Sequence, residues 1–335
     1  MKNTQVTLAK RPDGKPKASD FGVVTSETPA LNPGEALIEN LYVSLDAGFR
    51  NWMDEGSGDN VLPAMPLDKP VMGLILGKII ESKNPDYKEG ALIMARLAWE
   101  AFSILTADDW HVVLEDDGVH PLSYHLGVLG DTGMSAYFGL NDIGKPQPGE
   151  TVLISAAGGA VGSIAGQIAK LKGARTIGFA GNDDKCRRLE HELGYDVGVN
   201  YNDANLVDRL ADVAPNGIDV YFDNVGGPLL EVVLDQINEG ARIPFCGAVA
   251  TYGDQAATPG PSNLFQIVSK WATLQGFMTH TKLDRYPEAR GQLSTWLKAG
   301  DIRAIEHMYE GVENCGVAFA DLFAGQNFGK TVVKV

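Results

Sequence analysis

A glycine-rich stretch in the middle of the chain has the spacing of a turn that binds a dinucleotide. Residues 152–156 read as an apolar strand, and Ala157-x-Gly159-x-x-Gly162 follows at once. The first position permits a tight turn, the second lets the backbone approach a pyrophosphate, and the third lets the next helix pack against its strand. The apolar stripe of that helix is Val161, Ile164, Ile168 and Leu171. Alanine adds only a methyl group at the first position. We therefore predict a nicotinamide dinucleotide with its diphosphate on the helix N-terminus.

The end of the second apolar run indicates which dinucleotide. NAD enzymes usually carry Asp or Glu there to hold the adenosine ribose, whereas this run ends at Ala180. Lys185 and Tyr201 follow and offer a cation and a hydroxyl to a 2′-phosphate, although Lys185 alone also fits a solvated helix face. Asp183 and Asp184 are expected to begin the next helix, where acids suit the dipole. The missing acid favours NADP(H).

The residues that bind catalytic metals are scarce. Leu74 and Ile75 follow Gly73, where dehydrogenases of this layout carry zinc ligands. The cysteines, Cys186, Cys246 and Cys315, are dispersed, and the six histidines lack ligand spacing. The chain also has no serine elbow, P-loop or paired-carboxylate motif. We expect no metal site, and simple alcohol oxidation is then harder to support.

Bulk composition restricts the partners. The 335 residues suffice for two domains, and 28 basic against 43 acidic residues give a net charge of −15. Such a charge repels nucleic acid and anionic membranes, so a small-molecule partner is expected. The first fifteen residues contain no apolar leader, and the odd, separated cysteines favour a reducing compartment, the cytoplasm.

The elements that must position these residues follow from the apolar pattern. Runs at 35–45, 70–82 and 90–99 read as strands. From about residue 126, strands alternate with helical segments, which indicates a parallel sheet of βαβ units. The tail, 326–335, reads as a strand again, so the chain is expected to return to its first domain.

Several longer stretches resemble one known family. They are TGMSAYFGL (132–140), AAGGAVGSIAGQIAKLKGAR (156–175), VNYND (199–203), YFDNVGG (221–227), CGAVATY (246–252) and GQNFGKTVVKV (325–335). The chain resembles the zinc-independent branch of the medium-chain dehydrogenase/reductase superfamily. Within it, the chain is most similar to the prostaglandin reductase, leukotriene dehydrogenase and curcumin reductase group. SLDAGFRNWM (44–53) matches loosely and residues 54–69 match poorly, so the substrate is not specified.

The resemblance implies an α/β fold with two domains. A GroES-like, twisted β domain would comprise residues 1–127 and 296–335, and a Rossmann domain with a doubly wound parallel sheet would comprise 128–295. The active site would lie in the cleft between them. The cofactor contacts implied are Met134, Ala157, Gly159, Ala160, Val161, Gly162, Lys185, Tyr201, Asn224, Val225, Cys246, Gly247, Phe277 and Asn327. The catalytic residue implied is Tyr252.

The reaction implied is hydride transfer from NADPH to the β-carbon of an α,β-unsaturated aldehyde or ketone. Tyr252 would donate a hydrogen bond to the developing enolate, although a loop tyrosine before Gly253 is the alternative. A quinone reductase and a non-catalytic NADPH-binding protein are the rival functions. Residues 54–69 and 254–270 are expected to line the substrate pocket. A homodimer paired through a sheet edge near Leu274–Met278 is expected, with a monomer as the alternative.

Overall fold

The chain divides into two compact units. The computed structural model describes residues 1–59, 62–116, 118–253 and 260–335. The first unit comprises 1–126, 306–327 and 331–335, and the second comprises 127–305 and 328–330. The domain limit expected at 295/296 falls inside a helix, Tyr286–Ala299. The part of the expected pocket strip at 254–259 lies outside the described residues.

The strands and helices are numbered along the chain. The strands are β1 Lys2–Leu8, β2 Phe21–Glu27, β3 Ala36–Ser44, β4 Met72–Ser82, β5 Leu92–Ala98, β6 Phe102–Leu105, β7 His111–Leu114, β8 Thr151–Ile154, β9 Arg175–Ala180, β10 Val197–Asn200, β11 Ile218–Phe222, β12 Ile237–Phe245, β13 Thr273–Gly276, β14 Glu306–Glu310 and β15 Lys330–Lys334. The α-helices are α1 Asp131–Phe138, α2 Gly162–Leu171, α3 Asp183–Leu193, α4 Leu206–Val213, α5 Gly227–Leu234, α6 Phe265–Ser269, α7 Tyr286–Ala299 and α8 Cys315–Phe323. Within the described ranges, none of the helices combines the length and the apolar character that crossing a membrane requires.

The first unit is built on a β-sheet with the order β14-β15-β3-β4-β5-β7, and β6 also pairs with β3. Its core surrounds Trp99, whose ring lies 5.4 Å from that of Phe319 and 5.6 Å from that of Phe21. A Cβ on Gly73 would lie 2.4 Å from Nε1 of Trp99. The glycine of the PVMGLILG run therefore admits a core tryptophan, and Ile75 of the same strand is fully buried.

The second unit contains the parallel sheet that the alternating pattern predicts. Its order is β10-β9-β8-β11-β12-β13, and the strand pairs are parallel. The chain builds outward from β8 through β9 to β10, then returns to the other side of β8 with β11. This reversal makes the carboxyl ends of β8 and β11 a topological switch point, where open α/β sheets bind their ligands. The prediction of a Rossmann-type sheet is confirmed.

The helix after the glycine-rich stretch is more deeply buried than a single apolar stripe requires. Ile164 and Ile168 are in the core, as expected, but Leu171 is 43% exposed. Its placement on the stripe was wrong because α2 ends at this residue and its last turn reaches the surface. A Cβ on Gly166 would lie 2.0 Å from Cζ of Tyr195, whose hydroxyl donates to the carbonyl oxygen of Gly162 at 2.7 Å. The Tyr195 side chain therefore holds the first turn of α2 in place.

Candidate active site

The turn between β8 and α2, residues 155–162, is called the dinucleotide turn below. Its second residue, Ala156, lies in the left-handed region at φ +47°, a strained conformation for a residue with a side chain. The N–H of Gly159 donates to the carbonyl oxygen of Ala156 at 2.9 Å. A Cβ on Gly162 would lie only 2.3 Å from that same oxygen. Position 162 therefore requires glycine for steric reasons, as the fingerprint predicts.

Alanine at the first fingerprint position is accommodated by a glycine on the neighbouring strand. Ala157 is fully buried, and its N–H donates to the carbonyl oxygen of Phe179 in β9 at 3.0 Å. A Cβ on Gly178 of β9 would lie 2.8 Å from the Ala157 methyl carbon. The extra methyl group fills the space that Gly178 leaves open. Gly178 was missed in the sequence because the two positions are 21 residues apart.

The dinucleotide turn is also bound by the end of the chain. The N–H of Gly329 donates to the carbonyl oxygen of Gly158 at 2.7 Å, and the ring of Phe328 would lie 3.0 Å from a Cβ on Gly158. The guanidinium carbon of Arg188 lies 3.9 Å from the centroid of that ring, within the range of a cation–π interaction. Arg188 and Phe328 were missed. The spacing of Arg188 three residues after Lys185 on one helix would have identified it.

The predicted 2′-phosphate residues converge where β9 ends, and this group (Ala180, Gly181, Lys185 and Tyr201) is called the phosphate corner. Asn182 caps α3 by accepting a hydrogen bond from the N–H of Lys185 at 2.8 Å, which places Lys185 in the first turn. The N–H of Tyr201 donates to the carbonyl oxygen of Ala180 at 3.0 Å. A Cβ on Gly181 would lie 2.9 Å from the Tyr201 hydroxyl. The backbones that carry Lys185 and Tyr201 are thus both held beside the end of β9.

The charges at this corner favour an anion. Burial, and then the positive charge of Arg188, lower the pKa of Lys185 below its usual value of 10.5. The two nearby acids are directed to other partners. Asp183 accepts a hydrogen bond from the side-chain amide of Asn200 at 2.8 Å, and Asp184 lies 3.3 Å from the guanidinium of Arg187. Both acids begin α3, which confirms the sequence prediction for them.

The carboxyl ends of β11 and β12 carry two more predicted residues. Residues 246–252, called the tyrosine turn, follow β12 and end at Tyr252. The hydroxyl oxygen of Tyr252 accepts a hydrogen bond from the N–H of Ala248 at 3.4 Å, and it would lie 3.2 Å from a Cβ on Gly247. After β11, Asn224 donates through Nδ2 to the carbonyl oxygen of Ser155 at 2.8 Å. Asn224 therefore connects the end of β11 to the dinucleotide turn.

Tyr252 has the electrostatics of an uncharged hydrogen-bond donor. Burial, and then the neighbouring Cys246, raise the pKa of its phenol above the usual 10.0. The phenol is therefore neutral at physiological pH and keeps its proton. Ala248 donates to the phenol oxygen, so the hydroxyl hydrogen is left to be donated elsewhere. This is the chemistry needed to stabilise a developing negative charge on oxygen.

The remaining predicted residues are distributed over both units. Met134 is fully buried in α1, and the ring of Phe277 meets that of Phe222 edge-on, 6.4 Å between centroids. Burial raises the pKa of the Cys246 thiol to about 12, so it is not a nucleophile at neutral pH. Ala160 and Val161 are partly exposed in the dinucleotide turn. Asn327 is buried and belongs to the first unit.

Among residues 1–59, 62–116, 118–253 and 260–335, no group of three or more His, Cys, Asp or Glu side chains could hold a metal ion. At the position where zinc ligands were sought, Leu74 is 8% exposed and Ile75 is fully buried. Both face apolar neighbours in the sheet of the first unit. This segment therefore serves packing.

Comparisons with known proteins agree along the whole chain. Residues 4–113 match the family described as the N-terminal domain of oxidoreductase, and residues 160–295 match the family described as zinc-binding dehydrogenase. The chain is 40% identical to prostaglandin reductase 1 of Bos taurus, covering 98% of each protein. It is 36% identical to the NADPH-dependent curcumin reductase of Escherichia coli, covering 100% of this chain and 97% of the relative. The crystal structure of CurA from Vibrio vulnificus in complex with NADPH is 37% identical, with 99% of each chain covered and a TM-score of 0.91.

Proposed function

The chain belongs to the group of the medium-chain dehydrogenase/reductase superfamily that contains the prostaglandin and curcumin reductases, and from this membership we propose its reaction. It reduces the carbon–carbon double bond of α,β-unsaturated aldehydes or ketones with NADPH. The observation that carries the proposal is the neutral, half-buried phenol of Tyr252 beside a sheet end that also holds the dinucleotide turn. The first feature suits an oxyanion and the second suits a nicotinamide cofactor.

The residues of the second unit fit NADPH. The backbone of Gly159, Ala160 and Val161 would hold the pyrophosphate at the start of α2, where Gly162 leaves no side chain in the way. The phosphate corner would hold the 2′-phosphate through Lys185. Ala157 belongs to the turn that would hold the pyrophosphate, and Tyr201 to the corner that would hold the 2′-phosphate. Near the other half of the cofactor we place the predicted contacts Met134, Asn224, Val225, Cys246, Gly247 and Phe277. Asn327, in the first unit, stays a predicted cofactor contact. When bound, NADPH supplies the hydride.

Tyr252 acts on the substrate. As the β-carbon of the enone gains a hydride, negative charge develops on the carbonyl oxygen. A donor already placed at that oxygen stabilises the charged transition state more than the neutral substrate, so the barrier falls. Tyr252 is suited to this because it donates one hydrogen bond without carrying a charge.

The experiment that tests the proposal is a screen of NADPH consumption against enals, enones, quinones and alcohols, with analysis of the products. We expect turnover of enals and enones to the saturated carbonyl compounds. A quinone reductase would consume NADPH with quinones and leave enones unreduced. A non-catalytic binder would bind NADPH and oxidise it with no member of the panel.

We also propose that the reaction needs no zinc. The support is the composition of the described residues, in which Leu74 and Ile75 occupy the expected ligand positions as core side chains. Activity should survive prolonged chelation, and a metal assay should find no stoichiometric zinc. Loss of activity on chelation and recovery with added zinc would contradict this.

We propose a homodimer formed through the β13 edge of the second unit. In the described part of the chain β13 pairs only with β12, so its other edge offers free backbone groups. In the segment that leads into β13, Phe265 is 73% exposed and Trp271 is 75% exposed, with Trp271 in the left-handed region at φ +49°. Large exposed apolar side chains in the segment before an edge strand fit a second copy of the same chain.

The variant Trp271→Lys tests the dimer. Sedimentation at micromolar concentration should give a dimer for the unaltered chain and a monomer for the variant. Val113→Lys is the matched control because Val113 is an exposed apolar residue of the first unit, remote in sequence from β13. A monomeric unaltered chain, or a dimer that persists in Trp271→Lys, would refute this interface.

The compartment we propose is the cytoplasm. Cys186, Cys246 and Cys315 are all free thiols, and burial raises the pKa of each. A reducing compartment suits such a chain. Fractionation of cells expressing the untagged protein should recover its activity with cytoplasmic markers, and recovery elsewhere would contradict the proposal.

A further inference from the structure

Asp223, directly after β11, is fully buried and holds an unusual concentration of hydrogen bonds. Its Oδ1 accepts from the hydroxyls of Ser155 and Tyr221, both at 2.9 Å. The same oxygen accepts from the N–H groups of Val225 at 2.9 Å and Gly226 at 3.0 Å. Among the described residues, no donor reaches its other oxygen, Oδ2. A buried carboxyl group is costly, so its presence calls for a role.

The four bonds to Oδ1 shape the turn at residues 223–226. Two of them come from N–H groups of that turn, and a third comes from Ser155 in the dinucleotide turn. The Ser155 hydroxyl oxygen in turn accepts from the N–H of Asn224 at 2.8 Å. One carboxyl oxygen thus joins the end of β8 to the end of β11 and fixes the direction of Asn224.

The turn at 223–226 also supports the tyrosine turn through its backbone. The carbonyl oxygen of Asp223 accepts from the N–H of Cys246 at 2.8 Å and of Gly247 at 3.2 Å. The carbonyl oxygen of Asn224 accepts from the N–H of Val249 at 3.3 Å. The tyrosine turn therefore rests on a segment that is itself organised by the Asp223 side chain.

We propose that Asp223 is a positioning residue that sets the location of the Tyr252 hydroxyl through the turn at 223–226. It does not touch the substrate and acts only through the two turns. The inference rests on the proposed function of Tyr252. Burial raises the pKa of Asp223 above its usual value, against the opposing effect of its hydrogen-bond donors. Asparagine is the conservative substitute, because its amide oxygen accepts the same hydrogen bonds.

The test compares Asp223→Ala with Asp223→Asn and with a matched control, Asp219→Ala. Asp219 lies in β11, near the end opposite to Asp223. Its carboxyl group accepts hydrogen bonds from the N–H of Thr151 and from the side-chain amide of Asn238. We expect Asp223→Ala to lower kcat about 10-fold, in the range seen for coupled sites, whereas Asp223→Asn retains most of kcat. Asp219→Ala should alter the melting temperature and leave kcat unchanged.

The double variant with Tyr252→Phe separates positioning from general stability. If Asp223 acts through the Tyr252 hydroxyl, Asp223→Ala should lower kcat by no more than about twofold once that hydroxyl is gone. An equal fall in kcat in both backgrounds would overturn the proposal. If Asp223→Ala does not fold, Ser155→Ala replaces it in the cycle. Ser155→Ala removes one of the four donors and should show the same coupling at smaller amplitude.

A second measurement does not depend on activity. Tyrosine labelled with ¹³C at Cζ, assigned with Tyr252→Phe, reports the titration of the Tyr252 phenol by NMR. The raised pKa of Tyr252 should fall towards the usual value in Asp223→Ala and stay raised in Asp219→Ala. An unchanged titration would overturn the positioning role. If the unaltered chain reduces no enone but Asp223→Ala still shows this shift of the Tyr252 pKa, only the proposed reaction is contradicted.

Discussion

The dinucleotide turn and the tyrosine turn lie at the carboxyl ends of strands in one parallel sheet but differ in how closely they are packed. Close packing adds to the hydrogen bonds of the first: a Cβ on Gly162 would lie 2.3 Å from the carbonyl oxygen of Ala156. The second is held mainly by hydrogen bonds from its own N–H groups to the carbonyl oxygens of Asp223 and Asn224. The dinucleotide turn is therefore intolerant of added volume, whereas the tyrosine turn is sensitive to the loss of single polar groups.

This difference matches the two proposed roles: the dinucleotide turn binds the cofactor, and the tyrosine turn stabilises charge during the reaction. A surface defined by close packing presents fixed backbone N–H groups and suits a diphosphate in every bound state. A phenol placed by hydrogen bonds stabilises charge only as the charge develops. Changes near the dinucleotide turn and the phosphate corner should thus act on cofactor affinity. Changes near the tyrosine turn should act on kcat.

Tyr252→Phe gives the largest expected effect. Loss of one oxyanion donor typically costs 10²–10³ in rate, and we expect kcat to fall about 10²-fold, at the low end, because a ribose hydroxyl of bound NADPH would be a second donor to the enolate. NADPH affinity, measured by fluorescence titration, should stay unchanged. Tyr87→Phe is the control, since it removes a phenol that donates to Thr106 in the first unit. Wild-type kcat in Tyr252→Phe on several enones would show that this tyrosine is structural.

Lys185→Ala, in the phosphate corner, should lower cofactor affinity rather than kcat. A lost charge-assisted contact costs about 1.5–3 kcal/mol, so NADPH affinity should fall by about one to two orders of magnitude. NADH affinity and kcat at saturating NADPH should barely change. Lys298→Ala removes the same charge from an exposed position in the last turn of α7 and should leave both affinities intact. Equal affinity of the unaltered chain for both cofactors would contradict the account.

The contact between Ala157 and Gly178 tests the packing claim in both directions. Gly178→Ala puts a methyl carbon 2.8 Å from that of Ala157, and overpacking of this kind costs about 1–3 kcal/mol of unfolding free energy. Ala157→Gly restores the usual fingerprint but removes the methyl group that fills this space and adds freedom to the unfolded backbone, so it should cost about 0.5–1 kcal/mol. Chemical denaturation measures both, and a tolerated Gly178→Ala would show that the dinucleotide turn is looser than we infer.

A pH titration gives the smallest expected effect. The pKa of Lys185 lies below 10.5 because of burial and the charge of Arg188. The ammonium that we propose binds the 2′-phosphate is complete at low pH and is lost as pH rises through this lowered pKa. The preference for NADPH over NADH should therefore begin to decline at a lower pH than an ordinary lysine would give. Lys185→Ala should show no such decline; an equal slope in that variant would assign the titration to another group.

The sequence predicts the features that depend on neighbouring residues. The fingerprint at 157–162, the acid-free end of β9 and the alternating strands and helices are all local patterns, and the structure has the corresponding sheet and helices. The loss of the acid at Ala180 is informative because it is a single position at a fixed distance from the turn.

The features that were missed depend on residues distant in the chain. Ser155 and Asp223 are separated by 68 residues, and their hydrogen bond can be recognised only once β8 is known to pair with β11. Gly178 accommodates Ala157 across two strands, and Phe328 reaches the dinucleotide turn from the end of the chain. Spacing rules cannot detect such pairs because they arise from strand order.

The most direct test of the proposed reaction follows deuterium from NADPH labelled at its transferable position into the product of an enone. We expect the deuterium at the β-carbon of a saturated ketone, in both the unaltered chain and Tyr252→Phe, with the variant slower and its isotope effect on kcat more fully expressed. Deuterium on a carbinol carbon would show that the carbonyl is reduced instead. That result would contradict the account of Tyr252 as a donor to an enolate.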